Sequence, residues 1–100
     1  MSITALIVLK IEDYEKFETE FASRETERAA AGIDAKAYRD MDDDAKAVVI
    51  ETVPSKEALF TFMAKPEIQQ TMQNATIQGS PDVTFLAGRA GDIPSLSLLT

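Results

Sequence analysis

The chain has 100 residues, 45% of them hydrophobic and 27% charged. That length makes one domain able to bury roughly 60–70% of the surface of its unfolded chain. Cysteine, histidine and tryptophan are all absent, which excludes disulfides, thiolate nucleophiles and zinc–thiolate sites, and with them the commonest general base and the usual proximal haem ligand. A net charge of −7 opposes both nucleic acid and an anionic membrane surface, since each needs clustered Lys and Arg.

In chain order, residues 3–11 (ITALIVLKI) are β-branched and apolar and read as a strand. The run 3–9 is too short to span a bilayer and lacks a basic leader or a small-residue cleavage site, so a cytoplasmic protein is expected. Asp13 can cap the helix that follows over residues 14–31. There Tyr14, Phe17, Phe21, Arg24 and Arg28 fall at spacings of three, four and seven on one helical face. Gly32 should end that helix. A second strand over 35–41 and a third over 45–53 come next.

Pro54-Ser55 breaks the third strand and caps a short helix over 56–64 whose buried side includes Leu59, Phe62 and Met63. Pro66 restarts the pattern after a bend near Lys65, because the residue before proline avoids helical geometry. Ile68, Met72 and Ala75 continue an apolar stripe. Gly79-Ser80-Pro81 reads as a turn, residues 83–88 as the fourth strand, and 91–100 as an apolar tail that docks on its own or a partner subunit after a domain of residues 1–90. The order is β-α-β-β-α-β with the second helix broken: an α+β, ferredoxin-like arrangement with a four-stranded antiparallel sheet and helices on one face.

The stretch 40–51 (DMDDDAKAVVIE) matches the ligand spacing of an EF-hand loop. Its sixth position is Ala45 rather than glycine, and both flanks are extended rather than helical. Asp40, Asp42, Asp43 and Asp44 therefore read as a solvated hairpin turn. Glu51 lies up the third strand, too far from the turn to share an ion with them.

A sheet with one wet face alternates apolar with polar. Here Ala5, Ile7 and Leu9 oppose Leu6 and Val8; Val49 and Val53 oppose Val48 and Ile50; Val83 and Phe85 oppose Leu86. Both faces call for cover, and the helices supply only one. A second copy of the sheet, in a two-fold homodimer, is the expected cover; the tail folding back is the alternative.

Several segments together resemble the dimeric α+β barrel proteins, in the branch related to antibiotic-biosynthesis monooxygenases. They are the first strand, RAAAGI (28–33), YRDMDDD (38–44), KPEI (65–68) and GSPDVTFL (79–86). The likeness spans residues 3–88 and is one of order and spacing. It implies two ferredoxin-like sheets facing each other and a cavity between each sheet and its helices. Members include cofactor-independent oxygenases of aromatic polyketides, haem-degrading enzymes and muconolactone isomerases. The chain departs from the haem-degrading pattern, having no histidine or tryptophan, and Glu51-Thr52 stands where a Glu-Trp pair is common. The oxygenases often use an asparagine in the pocket, for which Asn74 is the candidate here.

On the residues themselves, Arg24 and Arg28 share the face of Phe17 and Phe21, where a guanidinium can hold a carboxylate, phenolate or enolate. The alternative is that their stems cover apolar surface and their heads reach solvent or pair with a Glu such as Glu20. A buried Glu51 can serve as a base near neutral pH, and Tyr38 can donate to a developing oxyanion, though the two sit on opposite pleats if the hairpin is regular. Pairing of Glu51 with a neighbouring Lys or Arg is the alternative. Phe62 and Met63 are core or the apolar wall of a ligand site. No cofactor and no metal is called for. Three functions fit: a cofactor-independent enzyme (oxygenase, isomerase or cyclase) on a small aromatic or lactone, a ligand-binding module, or a structural homodimer. A cavity of roughly 300 Å³ or more separates the first two from the third.

Overall fold

The computed structural model of the chain describes residues 2–87. The elements are β1 (Ile3–Ile11), α1 (Tyr14–Ser23), α2 (Glu25–Ala30), β2 (Asp34–Arg39), β3 (Lys46–Val53), α3 (Lys56–Met63), α4 (Pro66–Asn74) and β4 (Ile77–Leu86). The strands form one antiparallel sheet in the order β2-β3-β1-β4. This is the ferredoxin-like arrangement expected from the order of elements.

Strand periodicity fixes what each face holds. One face carries Ala5, Ile7, Leu9 and Ile11 of β1 with Ala47, Val49 and Val53 of β3. All are buried under the helices with Phe17, Leu59, Phe62 and Ile68. Each fully buried Val, Leu, Ile or Phe side chain among them contributes about 1.5–3 kcal/mol relative to exposure. On the other face, the row Lys36–Ile50–Leu6–Thr84 runs across the sheet beside the row Tyr38–Val48–Val8–Asp82.

The helix ends follow their caps. Asp13 accepts a bond from the Lys16 N–H at the start of α1, and Ser55 accepts one from Ala58 at the start of α3. Lys65, extended at φ −60° and ψ 135°, is the bend before Pro66. Gly32, at φ +76°, ends α2. A Cβ there would sit 3.1 Å from Pro54 Cγ, so this corner requires glycine twice over.

Three expectations need correction. The helix over 14–31 is two helices, broken at Arg24 (φ −107°, ψ 13°). The hydroxyls of Thr19 and Ser23 donate to the carbonyls of Glu15 and Glu20, a competition that bends or ends helices. The second strand begins at Asp34 and stops at Arg39 rather than Met41, because Asp40 Oδ1 accepts the N–H groups of Asp42 and Asp43 and closes the hairpin. Asp43 Oδ1 likewise accepts from Ala45, so the aspartate cluster is a turn built on its own backbone.

Gly79-Ser80-Pro81 is not a turn but part of β4. Val8 pairs with Asp82 and Lys10 with Gln78, so two steps along β1 face four along β4. The extra residues form a bulge, with Gly79 at φ +67° and Pro81 needing no ladder N–H. The turn falls earlier, at Thr76 (φ 60°), whose Oγ1 accepts the N–H groups of Glu12 and Asp13. The tail over 91–100 and the expected strand end at Gly88 lie outside the described residues.

Candidate functional site

Glu51 sits on β3 between Val49 and Val53, so the strand period turns its side chain toward the helices. Its neighbours across the sheet are Ala5 on β1 and Ala35 on β2. Two methyl side chains flank one carboxylate and leave space above it. Glu51 is only 7% exposed, and its Oε2 is buried without a hydrogen-bond partner among the described residues. Desolvation pushes its pKa up to about 7, and the positive charge of Arg28 partly opposes that rise.

Arg28 is in α2, whose last turn is held where the Ile33 N–H donates to the Arg28 carbonyl at 2.9 Å. Its side chain is 7% exposed, with the guanidinium 3.8 Å over the centroid of the Phe21 ring. That contact is a cation–π interaction in a desolvated setting. Burial lowers its pKa from the ordinary value, against the carboxylates of Glu51, Glu25 and Glu27, which raise it. A guanidinium keeps its proton throughout the range in which proteins fold. Among the described residues Arg28 forms no ion pair within 4.0 Å. The site therefore holds one cation and one ionisable carboxyl close enough to feel each other, neither neutralised by contact.

The two groups line a partly open cavity of about 100 Å³ between the sheet and the helices α1, α2, α3 and α4. Ile7, Leu9, Phe17, Val49, Met72 and Ile77 make its wall chiefly apolar. Phe62, Met63 and Arg24 also line it. Five of the seven candidates from the sequence, Arg24, Arg28, Glu51, Phe62 and Met63, thus converge.

The other two do not. Tyr38 is on the opposite pleat from Glu51, opposite Val48, and is 51% exposed on the uncovered face of the sheet. Residues an even number apart share a face, and in the regular β2–β3 register Tyr38 lies three residues from Ala35, the partner of Glu51, and so on the other face. Asn74 ends α4 at the surface, where its Oδ1 accepts from Gln70; it belongs to an outer groove beside Asp13 and Thr76.

Of the two roles open to Arg24, its contacts fit the structural one. Its Nε donates to Thr71 Oγ1 at 2.8 Å and its Nη2 to the Glu67 carbonyl at 3.3 Å, and it pairs with Glu27 rather than Glu20. The helix break at Arg24 removes the i−4 geometry that would favour Glu20 and brings Glu27 of the next turn into reach. Arg24 fastens the α1–α2 corner to α4 at the cavity rim. Thr71 was missed by sequence reasoning. It is a buried hydroxyl one turn beyond Ile68, and a threonine inside that apolar stripe was the available signal.

No protein-family model matches the chain, and no curated protein matches it. Solved structures do resemble it. A candidate antibiotic biosynthesis monooxygenase from Caulobacter crescentus superposes with a TM-score of 0.71 at 19% identity, over 88% of this chain and 90% of that one. Another from Bordetella bronchiseptica gives 0.74 at 12% identity, over 88% and 97%. SnoaB, a cofactor-independent oxygenase from Streptomyces nogalater, gives 0.69 at 16% identity, over 88% and 93%. At such identities the likeness speaks for architecture alone: the chain has the ferredoxin-like α+β fold of the antibiotic-biosynthesis-monooxygenase-like structures.

Proposed function

We propose that the protein is a cofactor-independent enzyme in which Glu51 moves a proton on a small aromatic or lactone held in the sheet–helix cavity, with Arg28 opposite the anion that forms. The observation that carries this reading is the buried, unpartnered Oε2 of Glu51 in an apolar cavity that also holds a guanidinium. Burying a carboxyl without hydrogen bonds costs folding free energy, and such sites concentrate where a base must work near neutral pH. Oxygenation, isomerisation and cyclisation can all begin by removing a proton beside a carbonyl or from a ring hydroxyl. The oxygenase activity of SnoaB makes oxygenation the first assay to run. Tyr38 and Asn74 drop out of the proton path, and Arg24 and Thr71 hold the rim.

The protein works as a homodimer through its uncovered sheet faces in this reading. Exposed Tyr38, Ile50 and Leu86 there adjoin half-buried Leu6, Val8 and Val48, a contiguous apolar surface of the kind that marks an interface. Among the described helices none is long and apolar enough to cross a membrane.

A second reading, a structural homodimer without turnover, is favoured by the cavity's size: about 100 Å³ falls short of the roughly 300 Å³ usual for ligand sites. Glu51→Gln separates the two. Loss of turnover with ligand binding near wild type supports the enzyme; unchanged turnover removes Glu51 from the mechanism.

A further inference from the structure

Size and charge at the cavity narrow its ligand. We infer that the cavity takes a neutral single-ring compound carrying one acidic hydroxyl, a phenol or cyclic enol, and that the anion facing Arg28 is made in the site rather than brought into it. This rests on the functional reading above.

Size comes first. A dry apolar cavity of about 150 Å³ holds one benzene. This one, at about 100 Å³, is smaller but open on one side, so a single ring fits with its hydroxyl inward and its far edge in the mouth, and fused rings do not fit. Met63 and Met72, both half-buried on the wall, set that limit.

Charge comes second. The charged groups lining the cavity are Glu20, Arg24, Arg28 and Glu51. Arg24 at the rim is already matched by Glu27 at 3.1 Å, and half-buried Glu20 stands at the rim. Deeper, Glu51 and Arg28 are one negative and one positive group, and with both ionised they sum to zero. A carboxylate ligand would put a second anion beside Glu51 against a single cation, in surroundings with little water to screen it. A neutral ligand avoids that repulsion.

Hydrogen bonding comes third. Among the described residues Glu51 Oε2 receives no donor. A ligand hydroxyl supplies the missing donor, and rings without one leave the acceptor unpaired. In the step that follows, the ligand O–H bond breaks and an Oε2–H bond forms. The electron pair stays on the ligand oxygen, opposite the guanidinium. Glu51 becomes neutral as the ligand becomes an anion, so the charge of the pocket does not change. The raised pKa of Glu51 lies closer to that of a phenol than an ordinary carboxylate does, which eases the transfer.

The test is a thermal-shift titration of the whole chain at pH 8 with phenol, toluene, benzoate and 1-naphthol, on wild type and on Met72→Ala. Phenol should raise Tm by roughly 5–10 °C at ten times its Kd. Toluene should need at least tenfold more for the same rise. Benzoate and 1-naphthol should leave wild type unmoved, while Met72→Ala, with a larger cavity, gains a response to 1-naphthol. Met63→Ala serves the same purpose where Met72→Ala does not fold. A larger shift with benzoate than with phenol overturns the charge argument, and an equal shift with 1-naphthol overturns the size argument; both outcomes leave the cavity as a ligand site. A flat response to all four compounds overturns this inference and the functional reading together.

Discussion

On the helix-covered face of the sheet, Ala5, Ile7, Leu9, Val49 and Val53 are buried, and one carboxylate, Glu51, is buried with them. On the opposite face Leu6, Val8 and Val48 are half-buried, and Tyr38, Ile50 and Leu86 stand exposed. Each face thus carries what the other would be expected to hold: a charge where there is little water, apolar side chains where there is much. Both departures cost stability in the isolated chain, and each points to something outside it. In the proposed reading the covered face takes a ligand that gives Glu51 a hydrogen bond, and the open face takes a second copy of the chain. The alternation of a strand says which residues share a face, and only the three-dimensional arrangement says which face is covered.

The largest effect that would break this contrast is chemical. Glu51→Gln keeps the size and polarity of the side chain but cannot take a proton, so turnover should fall by about 10²–10⁴, the usual worth of a general base; steady-state kinetics on a responsive phenol or lactone measures it. Arg28→Met comes next. It keeps the stem against Phe21 but removes the positive charge that opposes the rise of the Glu51 pKa, so stability should fall where Glu51 is ionised. Urea unfolding at pH 8 should show that loss, and at pH 5, where Glu51 takes up a proton, the loss should be much smaller.

The pH dependence of wild type sharpens the contrast further. The pKa of Glu51 is raised in the folded protein, from the ordinary 4.5 to about 7, so between those values the native state binds the proton that the unfolded chain has released. Stability through this group is therefore greatest at low pH and is lost as pH rises from about 4.5 to about 7, with little further change above. The span is worth about 3 kcal/mol for a shift of this size. Glu51→Gln should remove that slope and leave the variant more stable than wild type at pH 8, a gain in stability bought with activity. The open face gives the smallest effect on the fold itself. Ile50→Lys, in the middle of the exposed row, should halve the mass seen by light scattering and leave the monomer's secondary structure intact; a mass unchanged from wild type would remove this face from the dimer.

Much of the fold could be read from the sequence because its signals are local. The β-branched run of β1, Asp13 and Ser55 as caps, Gly32 at a helix end and Pro66 after an extended residue each act within a few positions. What could not be read depended on partners distant in sequence. Arg24 sits at helical spacing from Phe17 and Phe21, yet the helix breaks there and its guanidinium goes to Thr71 and Glu67 on α4. Gly79-Ser80-Pro81 has the composition of a turn and instead forms a bulge, because β1 offers ladder partners on both sides of it. In the site, Glu51 and Arg28 were legible as an inward carboxylate and an inward guanidinium. Their convergence was not, since it depends on Ala5 and Ala35 leaving space and on Gly32 setting how α2 meets β2. Tyr38 failed as a partner for a simple reason: one residue of register puts it on the other face.

The proposed chemistry turns on one ionisable group, and a ¹³C NMR titration of the Glu51 side-chain carboxyl carbon tests it most directly. A midpoint of about 7 in wild type, moving higher in Arg28→Met, is the result predicted here. A midpoint near 4.5, unmoved by the loss of Arg28, would mean that water reaches this carboxylate freely, and would contradict both the buried base and the function built on it.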